Sequence, residues 1–122
     1  MANLLVWIDI PVRDLERAVQ FYSGVLDRKV RCEEFPGMAI GVFEHGGDEV
    51  AGCLFISEKN DPAPSTDGVL AYFNCTGRLD AAVARVAELG GEVLQPTHPI
   101  GQHGFRAVVK DSEGNRIALH SP

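Results

Sequence analysis

From Asp14 onward, Leu15, Ala18, Val19, Tyr22, Val25 and Leu26 recur at i, i+3, i+4, i+7, i+10 and i+11, the spacing of one helix face. Asp14 stands where its carboxylate can accept from the free N–H groups of the first turn. Sixty-four residues later the pattern returns, with Leu79, Ala82, Val83 and Val86 matching Leu15, Ala18, Val19 and Tyr22, and Gly90-Gly91 supplying a helix stop. Each helix follows a strand pattern, at 4–12 and at 69–75, and each is followed by three more. These are 30–34, Met38–Phe43 after the Pro36-Gly37 turn, and Ala51–Ile56; then 92–94, Phe105–Lys110, and 115–120 after the turn Asp111-Ser112-Glu113-Gly114. The chain therefore reads β-α-β-β-β twice: an α+β protein with one module at 1–56, a Pro-rich linker at 57–67 and a second module at 68–122.

A four-stranded sheet covered by one helix leaves its second face bare, and a bare face needs a partner or a ligand. Two such units side by side curl into a cup-shaped mixed sheet. Period two sets Leu4, Val6, Ile8, Ile10 and Val12 beneath the first helix and turns Leu5, Trp7 and Asp9 into the cup. The offset of 64 residues turns Val69, Ala71 and Phe73 the same way. On the last strand Ile117 and Leu119 belong to the helix side, so Arg116, Ala118 and His120 face the cup.

Composition narrows the partners. The chain has 122 residues, 45% hydrophobic and 23% charged, which suits a single folded domain and excludes disorder. A net charge of −6 without a basic cluster works against nucleic acid and anionic lipid. The first apolar run contains Asp9, stops at Pro11 and falls far short of the roughly 20 residues of a membrane span, so a soluble, cytoplasmic protein is expected. Cys32, Cys53 and Cys75 are odd in number and form no C-x-x-C pair, so neither a disulfide framework nor a zinc knuckle is supported. No Gly-x-Ser-x-Gly elbow occurs, and Gly46-Gly47 lacks the lysine and helix of a phosphate loop.

The run Trp7-Ile8-Asp9-Ile10-Pro11-Val12-Arg13-Asp14-Leu15-Glu16-Arg17-Ala18 with Phe21-Tyr22, then Leu79-Asp80-Ala81-Ala82 with Gly90-Gly91, then Asp111-Ser112-Glu113-Gly114-Asn115-Arg116-Ile117, resembles the glyoxalase/bleomycin-resistance/dioxygenase group, the vicinal oxygen chelate superfamily. The resemblance implies paired βαβββ modules around a cup, commonly as a homodimer, and in many members a divalent metal held by His, Glu or Gln on the first and last strands of each module. Laid on that pattern, the ligand positions fall on Trp7, Ala71 and Ala118, and on a stretch at 50–54 where Cys53 is the one possible donor. Indole and methyl groups do not bind metal, so no metal or other cofactor is expected, and the metal-dependent glyoxalase I and ring-cleaving reactions lose their Lewis acid.

The expected substrate-binding residues are Trp7, Asp9, Phe73, His103, Arg106 and His120. Trp7 offers a ring for stacking and one N–H, or it fills the cup or packs on a second chain. Asp9 receives a ligand proton or pairs with Arg106 or Arg116. Asp9, His103 and His120 are the candidate proton carriers. His98, between Thr97 and Pro99, reads as a loop residue, which disfavours a metal trio of His98, His103 and His120. The main expectation is a protein that binds a small organic molecule in a metal-free cup, with the acidic charge suiting a cationic ligand. The alternative is a lyase or isomerase, related to lactoylglutathione lyase, that works by Asp/His proton transfer or at a non-standard metal site.

Overall fold

The computed structural model describes residues 3–35 and 37–122, with Phe35 as backbone alone. The first module consists of β1 (Trp7–Val12), α1 (Leu15–Leu26), β2 (Val30–Phe35), β3 (Met38–Phe43) and β4 (Ala51–Ile56). The second consists of β5 (Ala71–Asn74), α2 (Leu79–Glu88), β6 (Glu92–Pro99), a 3-10 turn at Gly101–His103, β7 (Phe105–Lys110) and β8 (Arg116–Ser121). The strands form two four-stranded sheets, β1-β4-β3-β2 and β5-β8-β7-β6, in which only the β1·β4 and β5·β8 ladders are parallel. Met1, Ala2 and Pro36 of the expected Pro36-Gly37 turn lie outside the described residues; Gly37 takes φ +78°.

Several elements differ from the periodicity reading. β1 starts at Trp7, where Ala51 first offers it a ladder partner, and Leu4, Leu5 and Val6 are exposed. β5 likewise starts at Ala71, opposite Ile117. β6 runs well beyond residue 94 as an edge strand, accommodating Pro96 and Pro99 through register shifts between Val93 and Gln95 and between Gln95 and His98. His98 is therefore a strand residue opposite Arg106.

One core serves both modules. Ala18, Phe21, Tyr22 and Val25 of α1 and Leu79, Ala82 and Val86 of α2 pack on the inner faces of the sheets, and the two helices also touch each other. The Tyr22 ring meets Phe21, Phe43 and Phe73 at centroid distances of 5.1, 5.6 and 5.5 Å. Asp14 caps α1 by accepting from the Arg17 N–H at 3.0 Å. Arg78 precedes α2 and donates to the Val25 carbonyl at 2.8 Å, placing a cation near the last turn of α1. Gly90 takes φ +95° after α2, and a side chain at Gly91 would collide with Phe21 and the Lys110 carbonyl.

The turn at 111–115 joins the modules. Glu113 accepts from the backbone N–H groups of Arg13 and Asp14 (2.9 Å each), from Arg17 Nε (2.7 Å) and Nη2 (3.0 Å), and from Ser112 Oγ (2.8 Å). Asp111 accepts from the Tyr22 hydroxyl and from Asn115, whose amide also donates to the Pro11 carbonyl at 2.8 Å. The linker is anchored here too, since Ser65 N–H donates to Asn115 Oδ1 and Arg116 N–H to the Ser65 carbonyl.

Candidate functional site

Strand register decides which side chains stand on the faces away from the helices. In the first sheet Trp7 lies beside Ala51 and Asp9 beside Cys53, with Val42 next to Cys53. Trp7 Nε1–H donates to Asp9 Oδ1 at 2.8 Å, and the Cys53 thiol donates to the same oxygen at 3.2 Å. Asp9 thus draws its partners from its own sheet and not from Arg106 or Arg116. Burial pushes the Cys53 thiol up to about 11, and the Asp9 carboxylate pushes the same way, so this sulfur stays protonated at neutral pH. The Trp7 indole is 43% exposed and meets His45 edge-on at 5.8 Å.

In the second sheet Tyr72 lies beside Ala118 and Asn74 beside His120, whereas Ala71 and Phe73 align with Ile117 and Leu119 on the helix side. Phe73 is packed into the shared core and does not face the cup. The expectation for Ala71 and Phe73 came from the helix offset. The connection from β5 to α2 (75–78) is longer than the one from β1 to α1 (13–14), so an offset taken from the helices slips on the strand, and a slip of one residue turns every side chain over. Tyr72, which that offset missed, stands beside Ala118 and Val108 as Asp9 stands beside Cys53 and Val42. The local alternation carried the signal, because Ala71, Phe73 and Cys75 form an apolar set with Tyr72 and Asn74 between them.

Around Tyr72 lies a polar cluster. Arg106 donates through Nη1 to the Tyr72 hydroxyl at 2.6 Å and through Nε to His98 Nε2 at 3.0 Å. His98 Nδ1–H then donates to the Pro96 carbonyl at 2.8 Å, which fixes the neutral tautomer. His120 Nε2–H donates to the His103 carbonyl at 2.7 Å, and its ring lies 6.1 Å from that of Tyr72. Tyr72, Ile100, His103 and His120 line a cavity of about 410 Å³. A second hollow of about 320 Å³, at the α1–β2 turn, has charged walls that include Arg28, Glu44 and Glu49. Among the described residues neither cavity takes walls from both modules.

The donor set does not fit a divalent cation. Indole and phenol stand where ligands are needed, facing Ala51 and Ala118, and the adjacent thiol is held protonated. Both ring nitrogens of His98 are engaged, and among the described residues no three His, Cys, Asp or Glu side chains converge.

The family model for the Glyoxalase/Bleomycin resistance protein/Dioxygenase superfamily matches residues 4–119, and the chain belongs to that superfamily. No curated protein sequence matches significantly. Among solved structures, a glyoxalase/bleomycin resistance protein from Albidiferax ferrireducens superposes with a TM-score of 0.79 at 17% identity, covering 98% of this chain and 99% of its own. The fosfomycin resistance protein FosX from Mesorhizobium loti gives 0.66 at 23% identity, covering 100% and 93%. A glyoxalase-related enzyme from Fulvimarina pelagi gives 0.74 at 16% identity, covering 98% and 88%. These likenesses establish the fold. Among the described residues no helix is long and apolar enough to cross a membrane.

Proposed function

We propose that this chain binds a small organic molecule on the bare sheet faces of its modules without a metal ion. The observation that carries the reading is the pair Trp7 and Tyr72, two half-exposed aromatic rings on the faces away from the helices, beside Ala51 and Ala118, the second opening on a cavity of small-ligand size. Rings at these places stack on a ligand, which is binding chemistry, and the Tyr72 hydroxyl adds a polar hydrogen, the Trp7 N–H being engaged by Asp9. Trp7, Met38, Tyr72 and Leu94 leave an apolar surface on these faces, and we propose a homodimer that covers part of it. The three unpaired cysteines suit a reducing compartment, so the proposed location is the cytoplasm.

The test is ligand titration of protein dialysed against a chelator. Aromatic ligands are expected to bind equally well with and without added Zn²⁺, Ni²⁺ or Mn²⁺, and a ligand on the first module's face is expected to perturb the emission of Trp7, the single tryptophan. Metal-stimulated turnover of α-ketoaldehyde–thiol adducts would overturn the metal-free reading. Binding that leaves the emission unchanged would place the ligand away from the first module's face.

A further inference from the structure

Arg106 is a half-buried cation without a carboxylate partner among the described residues, in a chain whose net charge is −6. A partly desolvated guanidinium is held in place only where other groups satisfy it. Here those groups are both neutral, the Tyr72 hydroxyl and His98 Nε2. They use two of the five N–H bonds of the guanidinium, leaving three without a partner among the described residues. The Tyr72 oxygen accepts from Arg106, so its own proton remains available to a further acceptor. Glu92, the acidic residue of β6, lies at the far end of the β6–β7 ladder and is paired there with Lys110.

We infer that Arg106 and Tyr72 form an oxyanion-binding site, and that its ligand is a planar aromatic carboxylate. The carboxylate takes the remaining Arg106 N–H groups and the Tyr72 O–H, a charge-assisted fork that neutral ligands cannot match. The flat body of the ligand lies in the adjoining cavity against the Tyr72, His103 and His120 rings and Ile100. This inference rests on the small-molecule reading above and refines its charge. Whole-molecule acidity suggests a cation, but the field at this cavity is set by the nearest charge, because exposed charges beyond about 8–10 Å are largely screened.

The experiment compares three forms of one ring system by calorimetry at about 0.15 M salt, where distant charges are screened: 2-naphthoate, 2-naphthamide and 2-naphthylmethylammonium. Wild type is expected to bind the carboxylate about tenfold or more tightly than the amide, as a charge-assisted fork implies, and the ammonium least. Arg106→Gln should bring the carboxylate down to the level of the amide, with Arg106→Lys in between and legible even if the glutamine variant does not fold. Tyr72→Phe should weaken the carboxylate several-fold, and Arg85→Gln, on the exposed side of α2, should change nothing. An Arg106→Gln protein that binds 2-naphthoate like wild type, or a preference for the ammonium, overturns the anion assignment while leaving small-molecule binding intact. Inorganic phosphate displacing 2-naphthoate as well as benzoate does overturns the aromatic part. If none of the three ring compounds binds, the small-molecule reading itself falls.

Discussion

At the scale of single residues, the three cysteines differ in environment. A thiol reacts as its thiolate, and burial disfavours the charged form. Cys53 and Cys75 are buried and both are pushed up by that burial, Cys53 further by the Asp9 carboxylate, while Cys32 is exposed. Iodoacetamide at pH 8 should therefore label one thiol of the native protein quickly and the other two only after denaturation, as intact mass would record. A second fast thiol would mean that the Asp9–Cys53 contact does not persist in solution. Trp7 and Asp9 were legible from alternation alone, since period two is a property of the strand itself. The Trp7–Asp9 hydrogen bond joins residues two apart on that strand, whereas the one from Cys53 to Asp9 needed the parallel β1–β4 register, which brings together residues 44 apart.

At the scale of elements, the informative strand is β5. The repeat offset and the local alternation gave opposite answers for its faces, and packing follows the alternation, because Phe73 closes the core against Tyr22 and Phe43. Phe73→Ala should cost about 2–3 kcal/mol by leaving a cavity there. Tyr72→Ala should cost under about 1 kcal/mol, as for a side chain largely outside the core. Urea denaturation midpoints of the two variants measure this directly. The reverse order would restore the register implied by the helices. β6 teaches the complementary lesson: its two prolines read as a loop, yet an edge strand with bulges tolerates them, and this brings His98 to Arg106.

At the scale of the molecule, the turn at 111–115 holds the modules together. Burial opposes the charge on Glu113, but hydrogen bonds from Arg17, the Asp14 and Arg13 backbone and Ser112 outweigh it and hold this carboxyl down at about 2. Its folded value lies below its unfolded one, so the stabilisation is complete above the ordinary carboxylate range and is lost as pH falls from about 5 toward 2. Glu113→Gln should lose about 2 kcal/mol of unfolding free energy at pH 7, the half-exposed Arg17 keeping this below the cost of breaking a fully buried pair. The gap from wild type should close by about pH 2, and chemical denaturation across that range tests it. A gap independent of pH would assign the effect to shape and not to charge. Tyr22, buried against Asp111, is pushed well above the ordinary phenol range by that burial first and by the neighbouring carboxylate second, so it remains a hydrogen-bond donor throughout.

Local periodicity by itself determined the α+β class, the two modules, both helices, and the outward faces of β1 and β8, because each of these follows from spacing along a few consecutive turns or pleats. Only the tertiary structure decided that Tyr72 and not Phe73 stands opposite Ala118, that Arg106 is held by Tyr72 and His98, and that Glu113 clasps the start of α1. Each of those outcomes depends on how distant strands and turns are brought into register. The energy that selects the register comes from packing and hydrogen bonds between residues far apart in the chain, where a local pattern carries no information.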